Sequence, residues 1–246
     1  MAEIGMFDSG NGGRTTLMAV RRWLPGVEIE YIADLKNAPY GTKEPGDLLR
    51  VTTRVTERLV ANGAKIVVVA CNTATTRCIE QLRREFPEIA FVGTEPALKL
   101  AAQRTRRGKI LLLGTPNTVK SERVGQMIRK NRLQERLRLL PCPGLAEAVE
   151  AGIEVLEGGP DWEGARLAHP EVAKQRLAEL LGGMTAAERD EIEVVVLGCT
   201  HYVWLRSQVQ EWFPKAEVVD GNLGVAKRVR ELWEAARQSN DAGYGR

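Results

Sequence analysis

The sequence predicts an α/β protein built from two similar units, and three observations support this prediction. Short apolar, β-branched runs alternate with longer amphipathic stretches along most of the 246 residues. Runs such as Ile66–Val69 and Val194–Leu197 are apolar throughout, which is typical of strands buried on both faces of a parallel sheet. Finally, one strand–helix unit occurs twice, once around Cys71 and once around Cys199.

The individual elements follow from these patterns in chain order. Strands are predicted at Ile4–Phe7, Glu28–Ala33, Lys65–Ala70, Ala90–Val92, Lys109–Gly114, Leu137–Leu140, Glu193–Leu197 and Glu217–Val219. Helices are predicted at Pro45–Asn62, Thr73–Phe86, Thr118–Lys130 and Leu223–Arg237. Thr185 and Glu188 have the spacing of a capping box at a further helix start. The glycine-bearing segment Gly158–Pro170 is expected to be a loop, and the polar tail Gln238–Arg246 to fray.

The repeated unit indicates how the chain is organised. Both copies run from an apolar strand through a cysteine, polar residues, a helix and Phe-Pro to another strand. The copies are IVVVACNTATTRCIEQLRREFPEIAFVG from Ile66 and VVVLGCTHYVWLRSQVQEWFPKAEVVDG from Val194. They lie about half the chain apart, so we expect two similar halves that each place one thiol at the carboxyl end of a strand. A chance match is the alternative, because the βαβ pattern itself forces part of the similarity.

Composition excludes several classes of function. The net charge is +3 and hydrophobic residues make up 43%, so nothing demands an acidic partner, and neither nucleic acid nor a membrane is expected as one. The two histidines and four cysteines form no CxxC, HxxxH or HExxH motif, so no metal site is expected. The opening MAEIGMFDSG lacks a signal-peptide pattern, and no apolar run approaches the ~20 residues that cross a bilayer. We therefore expect a cytoplasmic protein with reduced thiols.

The two repeated cysteines are the leading candidates for chemistry. Ligands of parallel sheets bind beyond the carboxyl ends of the strands, where Cys71 and Cys199 are predicted to lie. A following helix start stabilises a thiolate and can also hold a ligand carboxylate. The alternative is packing, since free cysteine is often a core residue. Hydrogen-bonding residues follow both cysteines and favour function: Asn72, Thr73, Thr200 and His201.

Other motifs are weaker when each is taken alone. The glycines of FDSGNGG (Phe7–Gly13) permit close approach of the backbone to a ligand, but the dinucleotide and P-loop patterns are incomplete. Asp8 is its informative residue, since a carboxylate beyond a strand can accept a proton or orient a neighbouring group. APYGT (Ala38–Thr42) is explained by turn chemistry alone. Glu147 and Glu150 are equally good acids by spacing on a predicted helix.

FDSGNGG, APYGT, ACNTA and GCTHY, in this order, resemble the glutamate racemases of the cofactor-independent aspartate/glutamate racemase superfamily. The resemblance extends over essentially the whole chain and includes GTEPALK, GTPNTVKS and CPGLAEAVE, while the pair ACNT and GCTH is its specific part. It implies two similar α/β domains with the active site in the cleft between them. We expect residues 1–94 with 212–246 to form the first domain and residues 95–211 the second.

The resemblance also implies a reaction and a set of roles. The family interconverts L- and D-glutamate by proton transfer at Cα and supplies D-glutamate for peptidoglycan, without a cofactor. Cys71 would then serve one face of the substrate and Cys199 the other, with Asp8 assisting Cys71, and His201 and Glu150 assisting Cys199. The implied substrate-binding residues are Asp8, Ser9, Tyr40, Gly41, Asn72, Thr73, Thr200 and His201. A homodimer is expected only from the resemblance.

Departures from the family pattern keep other functions open. Val203 and Trp204 stand where the family usually has Pro-Leu, and Arg14 stands where it usually has leucine. Because Trp204 is bulky and close to the predicted site, the substrate could be aspartate or another amino acid. A hydrolase or acyl transferase that uses Cys199 with His201 is a second alternative, in which Cys71 would be dispensable. A binding module for nucleic acid is a third, and its affinity would fall steeply with salt.

Overall fold

The computed structural model describes residues 2–106, 108–155 and 165–243, with only the backbone of residues 239–243. This part of the chain forms two four-stranded parallel sheets with flanking helices and one two-stranded antiparallel hairpin. The predicted α/β class is therefore confirmed. The strands are β1 (Ile4–Asp8), β2 (Ile29–Ala33), β3 (Ile66–Val69), β4 (Ala90–Gly93), β5 (Lys109–Gly114), β6 (Leu137–Pro141), β7 (Ile153–Val155), β8 (Ala165–Leu167), β9 (Ile192–Gly198) and β10 (Glu217–Val219).

Helices connect the strands and cover the faces of both sheets. They are α1 (Arg14–Trp23), α2 (Pro45–Ala61), α3 (Asn72–Glu85), α4 (Leu98–Arg104), α5 (Pro116–Val119), α6 (Glu122–Lys130), α7 (Leu145–Gly152), α8 (Glu171–Leu181), α9 (Ala186–Asp190), α10 (Arg206–Trp212) and α11 (Asn222–Gly243). In the described part of the chain, three short 3₁₀ helices lie at Asn11–Gly13, Leu35–Asn37 and His201–Leu205. None of the described helices has both the length and the apolar character needed to span a membrane.

The first sheet has the order β2-β1-β3-β4 and is buried on both faces. Alternate residues of β3 pack in opposite directions, as the two-residue period of a strand requires. Val67 and Val69 pack with α2 and α3, whereas Ile66 and Val68 pack with α1 and α11. This two-sided burial is why β3 is an uninterrupted apolar run in the sequence.

The second sheet has the order β10-β9-β5-β6 and repeats this layered arrangement. Val195 and Leu197 of β9 pack with α7, α8 and α10, while Val194 and Val196 pack with α4 and α6. β3 and β9 are both interior strands of their sheets, and a cysteine lies within two residues of the carboxyl end of each. The two copies of the repeated unit therefore occupy corresponding positions in the two halves.

All eight predicted strands are present, and the corrections concern other parts of the chain. The predicted helix Thr118–Lys130 is divided into α5 and α6, because Ser121 accepts a hydrogen bond from the Val124 amide and caps a new helix. The capping box of Thr185 and Glu188 is confirmed.

Two segments predicted to be irregular contain regular structure. The segment Gly158–Pro170, predicted as a loop, contributes strand β8 to a hairpin with β7, while residues 158–164 lie outside the described residues. Helix α11 continues as far as Gly243 into the tail that was expected to fray, and residues 244–246 lie outside the described residues. Both differences arise at the borders of predicted elements, where polar and glycine-bearing sequence resembles a loop.

The C-terminal segment is divided between the two sheets. The sequence assigned residues 212–246 to the first domain, but Glu217–Val219 pair with β9 at the edge of the second sheet. Only α11 returns to the first sheet, where Val225, Ala226 and Val229 pack beside α1. A three-residue edge strand carries too little sequence information to indicate which of two similar sheets it joins.

Candidate active site

A cavity of about 300 Å³ lies where the carboxyl ends of the two sheets meet. Loops that follow β1, β2, β3, β5, β6 and β9 contribute to its wall, together with helix α7. Eight of the predicted site residues line it: Ser9, Tyr40, Gly41, Cys71, Thr73, Glu150, Cys199 and His201. The other three, Asp8, Asn72 and Thr200, are buried just beyond the lining.

Cys71 lies two residues beyond the end of β3 and immediately precedes helix α3. Its side chain is buried, and its Sγ atom is 4.0 Å from Ser9 Oγ. Burial raises the pKa of this thiol well above its ordinary value, and the negative charge of Asp8 raises it further. Backbone hydrogen bonds at the start of α3 act in the opposite direction. Burial and the neighbouring Asp8 charge therefore favour the protonated thiol at Cys71.

Asp8 is the last residue of β1 and has no solvent exposure. Thr200, which belongs to the second half, donates its hydroxyl to Asp8 Oδ2 at 2.9 Å. Within the described residues, Oδ1 has no hydrogen-bond partner. Burial raises the pKa of Asp8, although the charge of His201 and hydrogen bonds from Ser9, Thr200 and Cys71 partly oppose that shift. Asp8 thus ties the two halves together beside Cys71.

Cys199, His201 and Glu150 form a connected group in the second half. The Sγ atom of Cys199 is 3.8 Å from His201 Nδ1, and His201 Nε2 is 2.7 Å from Glu150 Oε2. Burial alone would lower the pKa of His201, but its contacts with Cys199 and Glu150 raise it well above the ordinary value. Burial alone would raise the pKa of Glu150, but hydrogen bonds from His201 and Asn11 lower it. The pair is therefore an imidazolium and a carboxylate, which places a cation beside Cys199.

The structure separates the two acids that spacing left equivalent. Glu147 and Glu150 both line the cavity, one turn of α7 apart. Of these two glutamates, only Glu150 forms a hydrogen bond with His201 in the described part of the chain. The geometry therefore favours Glu150 as the acid that assists Cys199.

Three predicted binding residues form hydrogen bonds with other protein groups through their side chains. The Tyr40 hydroxyl donates to Asp34 Oδ2 at 2.6 Å, and the Asn72 side-chain amide donates to the Thr94 carbonyl at 2.9 Å. Thr73 Oγ1 lies 2.9 Å from Thr115 Oγ1 within a small group of threonine hydroxyls. At Tyr40 and Asn72, the side-chain polar groups thus support the wall of the cavity.

Asn11 and Thr115 belong to the site but were not predicted from the sequence. Thr115 lines the cavity directly after β5, so the rule that singled out residues after strands would have found it. Asn11 donates to both carboxylate oxygens of Glu150, from its backbone N–H at 2.8 Å and from Nδ2 at 2.6 Å. These two residues are 139 positions apart, and no local pattern signals such a contact.

The glycines of FDSGNGG have a role that the sequence did not indicate. A Cβ atom at Gly10 would lie 2.3 Å from Glu150 Oε2, and one at Gly12 would lie 2.5 Å from His201 Nδ1. Gly10 and Gly12 therefore allow close approach to side chains of the second half, and the approach of a ligand to this backbone stays a prediction. Val203 and Trp204 pack against the core of the second sheet and are not among the described residues that line the cavity.

The lining of the cavity offers hydrogen-bond donors to a ligand that carries a carboxylate. No lysine or arginine lies among the lining residues that the structure describes. The start of α3 at Cys71 and Thr73, the start of α7 at Gly144 and the threonine hydroxyls offer donors to carboxylates. Within the described ranges, no group of three or more His, Cys, Asp or Glu residues could hold a metal ion.

Comparisons with known proteins agree with one another. The sequence profile of the Asp/Glu/Hydantoin racemase family matches residues 14–229. The chain is 35% identical to the glutamate racemase of Clostridium novyi (strain NT) over 92% of this chain and 82% of that protein. It is 39% identical to the glutamate racemase of Roseiflexus sp. (strain RS-1) over 93% of this chain and 78% of that protein. The crystal structure of Escherichia coli glutamate racemase with L-glutamate and the activator UDP-MurNAc-Ala superposes with a TM-score of 0.79 at 28% identity, covering 95% and 83% of the two chains.

Proposed function

The chain belongs to the Asp/Glu/hydantoin racemase family, and on that basis we propose that it interconverts L- and D-glutamate through two thiols, Cys71 and Cys199. The enzyme is an amino-acid racemase, an isomerase that acts on a small molecule. The resemblance of the four sequence motifs to this family is thereby confirmed.

One observation carries the assignment of the two thiols. Cys71 and Cys199 follow corresponding interior strands of the two sheets, and both line the same cavity. Inversion at Cα requires removal of a proton on one face and delivery of a proton on the other. Two similar halves that each contribute one acid–base group can serve the two faces of the substrate. A role in core packing, in contrast, would not require both thiols to line one cavity.

The reaction balances without any group besides the two thiols and the substrate. In one direction, a thiolate at Cys199 takes the Cα proton, and the thiol of Cys71 delivers its proton to the opposite face. The carbanion that forms between these steps is neutralised by the second transfer, and the enzyme is left with the two protonation states exchanged. The reverse reaction begins from that exchanged state, so each thiol serves as base for one enantiomer.

The surrounding residues stabilise the charges that this exchange creates. The imidazolium of His201 lies 3.8 Å from Cys199 Sγ and would balance a negative sulfur there. At Cys71, the N–H groups that begin α3 would play the same part, while the buried Asp8 favours the protonated thiol. The same helix start, with Ser9 and the hydroxyls of Thr73 and Thr115, would hold the substrate carboxylates.

The proposal extends to the biological setting that the family implies. D-Glutamate made by the enzyme would enter peptidoglycan, and the enzyme would act in the cytoplasm as a homodimer. The oligomeric state is measured by light scattering on the chromatographically separated protein, where a mass of twice 27.2 kDa is expected. The division into domains at 1–94 with 212–246 and at 95–211 remains a prediction, apart from the edge strand reassigned above.

The deciding experiment is racemisation in D₂O. Incubation with L-glutamate should yield D-glutamate that carries deuterium at Cα, since the delivered proton comes from a thiol equilibrated with solvent. L-aspartate and other L-amino acids are assayed in parallel. If any of them has a higher kcat/KM than L-glutamate, that amino acid is the substrate in place of glutamate. Formation of no D-amino acid from the whole panel would refute the proposed function.

Serine variants test the two thiols separately. Cys71→Ser and Cys199→Ser should each lower kcat/KM by about 10²–10⁴-fold, the range in which a positioned acid–base group contributes. Cys78→Ala is the control, because Cys78 is buried on α3 but does not line the cavity. It should leave kcat/KM within about threefold of wild type.

A one-cysteine hydrolase is the second candidate, and a specific observation favours it. Cys199, His201 and Glu150 are connected at 3.8 and 2.7 Å, which resembles a nucleophile, a base and a group that orients the base. This candidate predicts that Cys71→Ser remains active and that a thioester forms on Cys199. Loss of activity in both serine variants, without a trapped thioester, would exclude it.

A further inference from the structure

We infer that Asn11, held in place by Arg14, is a positioning residue for the Cys199 half of the proton transfer. The inference rests on the proposed function and concerns a contact that joins the two halves of the chain. Asn11 lies in the 3₁₀ helix after β1, whereas Glu150 and His201 belong to the second half. Both partners are at the cavity, and Asn11 itself is 8% exposed.

Asn11 holds the Glu150 carboxylate at two points. Its backbone N–H donates to Oε2 at 2.8 Å, and its Nδ2 donates to Oε1 at 2.6 Å. Oε2 also lies 2.7 Å from His201 Nε2. The carboxylate is thus fixed in position and in plane, and its orientation directs Oε2 toward the imidazole. Hydrogen bonds to an ionised group are among the stronger ones in proteins.

Arg14 determines which way the Asn11 amide points. Its Nε donates to Asn11 Oδ1 at 2.9 Å, so the carbonyl oxygen of the amide faces Arg14 and the NH₂ group faces Glu150. The Arg14 guanidinium lies over the Tyr31 ring, 5.6 Å from its centroid, and the Tyr31 hydroxyl donates to the Gly10 carbonyl at 2.7 Å. Arg14, which is not among the described residues that line the cavity, therefore anchors the amide from outside it.

This arrangement acts on the chemistry through charge. An ionised Glu150 favours the imidazolium form of His201, and that cation faces Cys199. The other charged groups that act on His201 are Asp8 and Cys199 itself. Without the Asn11 donor, the Glu150 carboxylate would be less firmly positioned, and the imidazolium form of His201 beside Cys199 would be less favoured. Cys71 is on the opposite side of the reaction and would keep its own surroundings, so the defect should affect one proton transfer more than the other.

Asn11→Leu is the principal variant, because it keeps the size of the side chain and the backbone N–H but removes both polar contacts of the amide. Its kcat/KM should fall about tenfold, as expected for the loss of one hydrogen bond to a charged group. Asn11→Asp places a second carboxylate next to Glu150, so its kcat/KM should fall further, by about a hundredfold. Arg14→Leu should show a smaller loss in the same direction.

Isotope effects distinguish positioning from a general structural defect. L- and D-glutamate have equal free energies, so kcat/KM must fall equally in both directions. The effect of deuterium at Cα, however, should increase for the enantiomer whose proton Cys199 removes and decrease for the other. Asn62→Leu is the matched control, since Asn62 also donates to a glutamate, Glu30, but at the surface. It should change neither kcat/KM nor the isotope effects.

The outcomes separate the inference from the function on which it rests. If the wild-type protein forms no D-glutamate, the proposed function fails. If wild type is active, two results would refute the positioning role. Asn11→Leu could have the same kcat/KM and isotope effects as Asn62→Leu, or it could change the isotope effects of both enantiomers alike. Thermal unfolding of each variant is measured beside the kinetics. If Asn11→Leu does not fold, Asn11→Asp and Arg14→Leu give the same test.

Discussion

Asp8 illustrates, at the scale of one residue, how the site works against the stability of the fold. Its carboxyl has no solvent exposure, and burial raises its pKa above the ordinary value. A group whose folded pKa is raised contributes its full stability below the unfolded pKa and loses it as the pH rises through the folded pKa. Ionisation of the buried Asp8 carboxyl as the pH rises therefore opposes folding. The charge is retained beside Cys71, where the proposed reaction uses it.

Asp8→Asn should accordingly stabilise the protein while it weakens catalysis. At pH 7 we expect Tm to rise by at least about 2 °C, since each kcal/mol relieved shifts Tm by about 2–4 °C in a chain of this size. The advantage should narrow as the pH falls toward 3.8, the ordinary pKa of the carboxyl. Thermal unfolding across this pH range measures it, and racemase activity should fall in parallel.

The control for this prediction is Asp190→Asn. Asp190 is exposed and pairs with Lys215 at the surface, so its replacement should change Tm by no more than about 1 °C. A lower Tm for Asp8→Asn at pH 7, with the loss persisting in acid, would show that the hydrogen bond from Thr200 outweighs the desolvation of the charge.

At the scale of an element, the loop between β1 and α1 is shaped by contact with the other half. Its 3₁₀ helix packs against α7 and the 3₁₀ helix His201–Leu205, and its glycines leave room for Glu150 and His201. Any side chain at Gly12 would occupy the space of the His201 ring. The glycine content of this loop therefore follows from the closeness of two protein segments.

Gly12→Ala should displace His201. A new Cβ atom 2.5 Å from Nδ1 requires a shift of the ring, and overpacking of this kind costs about 1–3 kcal/mol. Because misplacement of a catalytic group by about 1 Å can cost up to 10²-fold, we expect kcat/KM to fall at least about tenfold. Gly46→Ala, in the first turn of α2 with open space around it, should keep full activity and stability. Equal behaviour of the two variants would contradict this account of the loop.

At the scale of the whole molecule, the last helix completes the first half after the chain has traversed the second. Val225, Ala226 and Val229 of α11 are buried with Leu17 and Val20 of α1. Thr16 donates to Asn222 at 2.8 Å and fixes the start of α11 against α1. The helix contributes no residue to the cavity lining in the described part of the chain, so its role in the molecule is support.

Val229→Ala should therefore lower stability without a direct effect on catalysis. Removal of two buried methyl groups costs about 0.8 kcal/mol each in transfer energy, with a further term for the cavity left behind. A loss of about 2 kcal/mol is expected in thermal or denaturant unfolding, while kcat/KM at 25 °C stays near wild type. Leu223→Ala on the same helix is the control, since Leu223 is 53% exposed and should cost no more than about 0.5 kcal/mol. Equal losses for both variants would contradict the packing described for α11.

The sequence by itself determined the fold class, the eight strands of the two parallel sheets and the family. Two-sided burial makes a parallel strand visible as an apolar run, and the two cysteine motifs are short enough to be recognised locally. Only the tertiary structure decided that β10 joins the second sheet, that Glu150 and not Glu147 contacts His201, and that Asn11 holds Glu150. These contacts join residues distant in the chain or equivalent in spacing. They depend on how the two halves pack against each other, and local sequence patterns do not predict that packing.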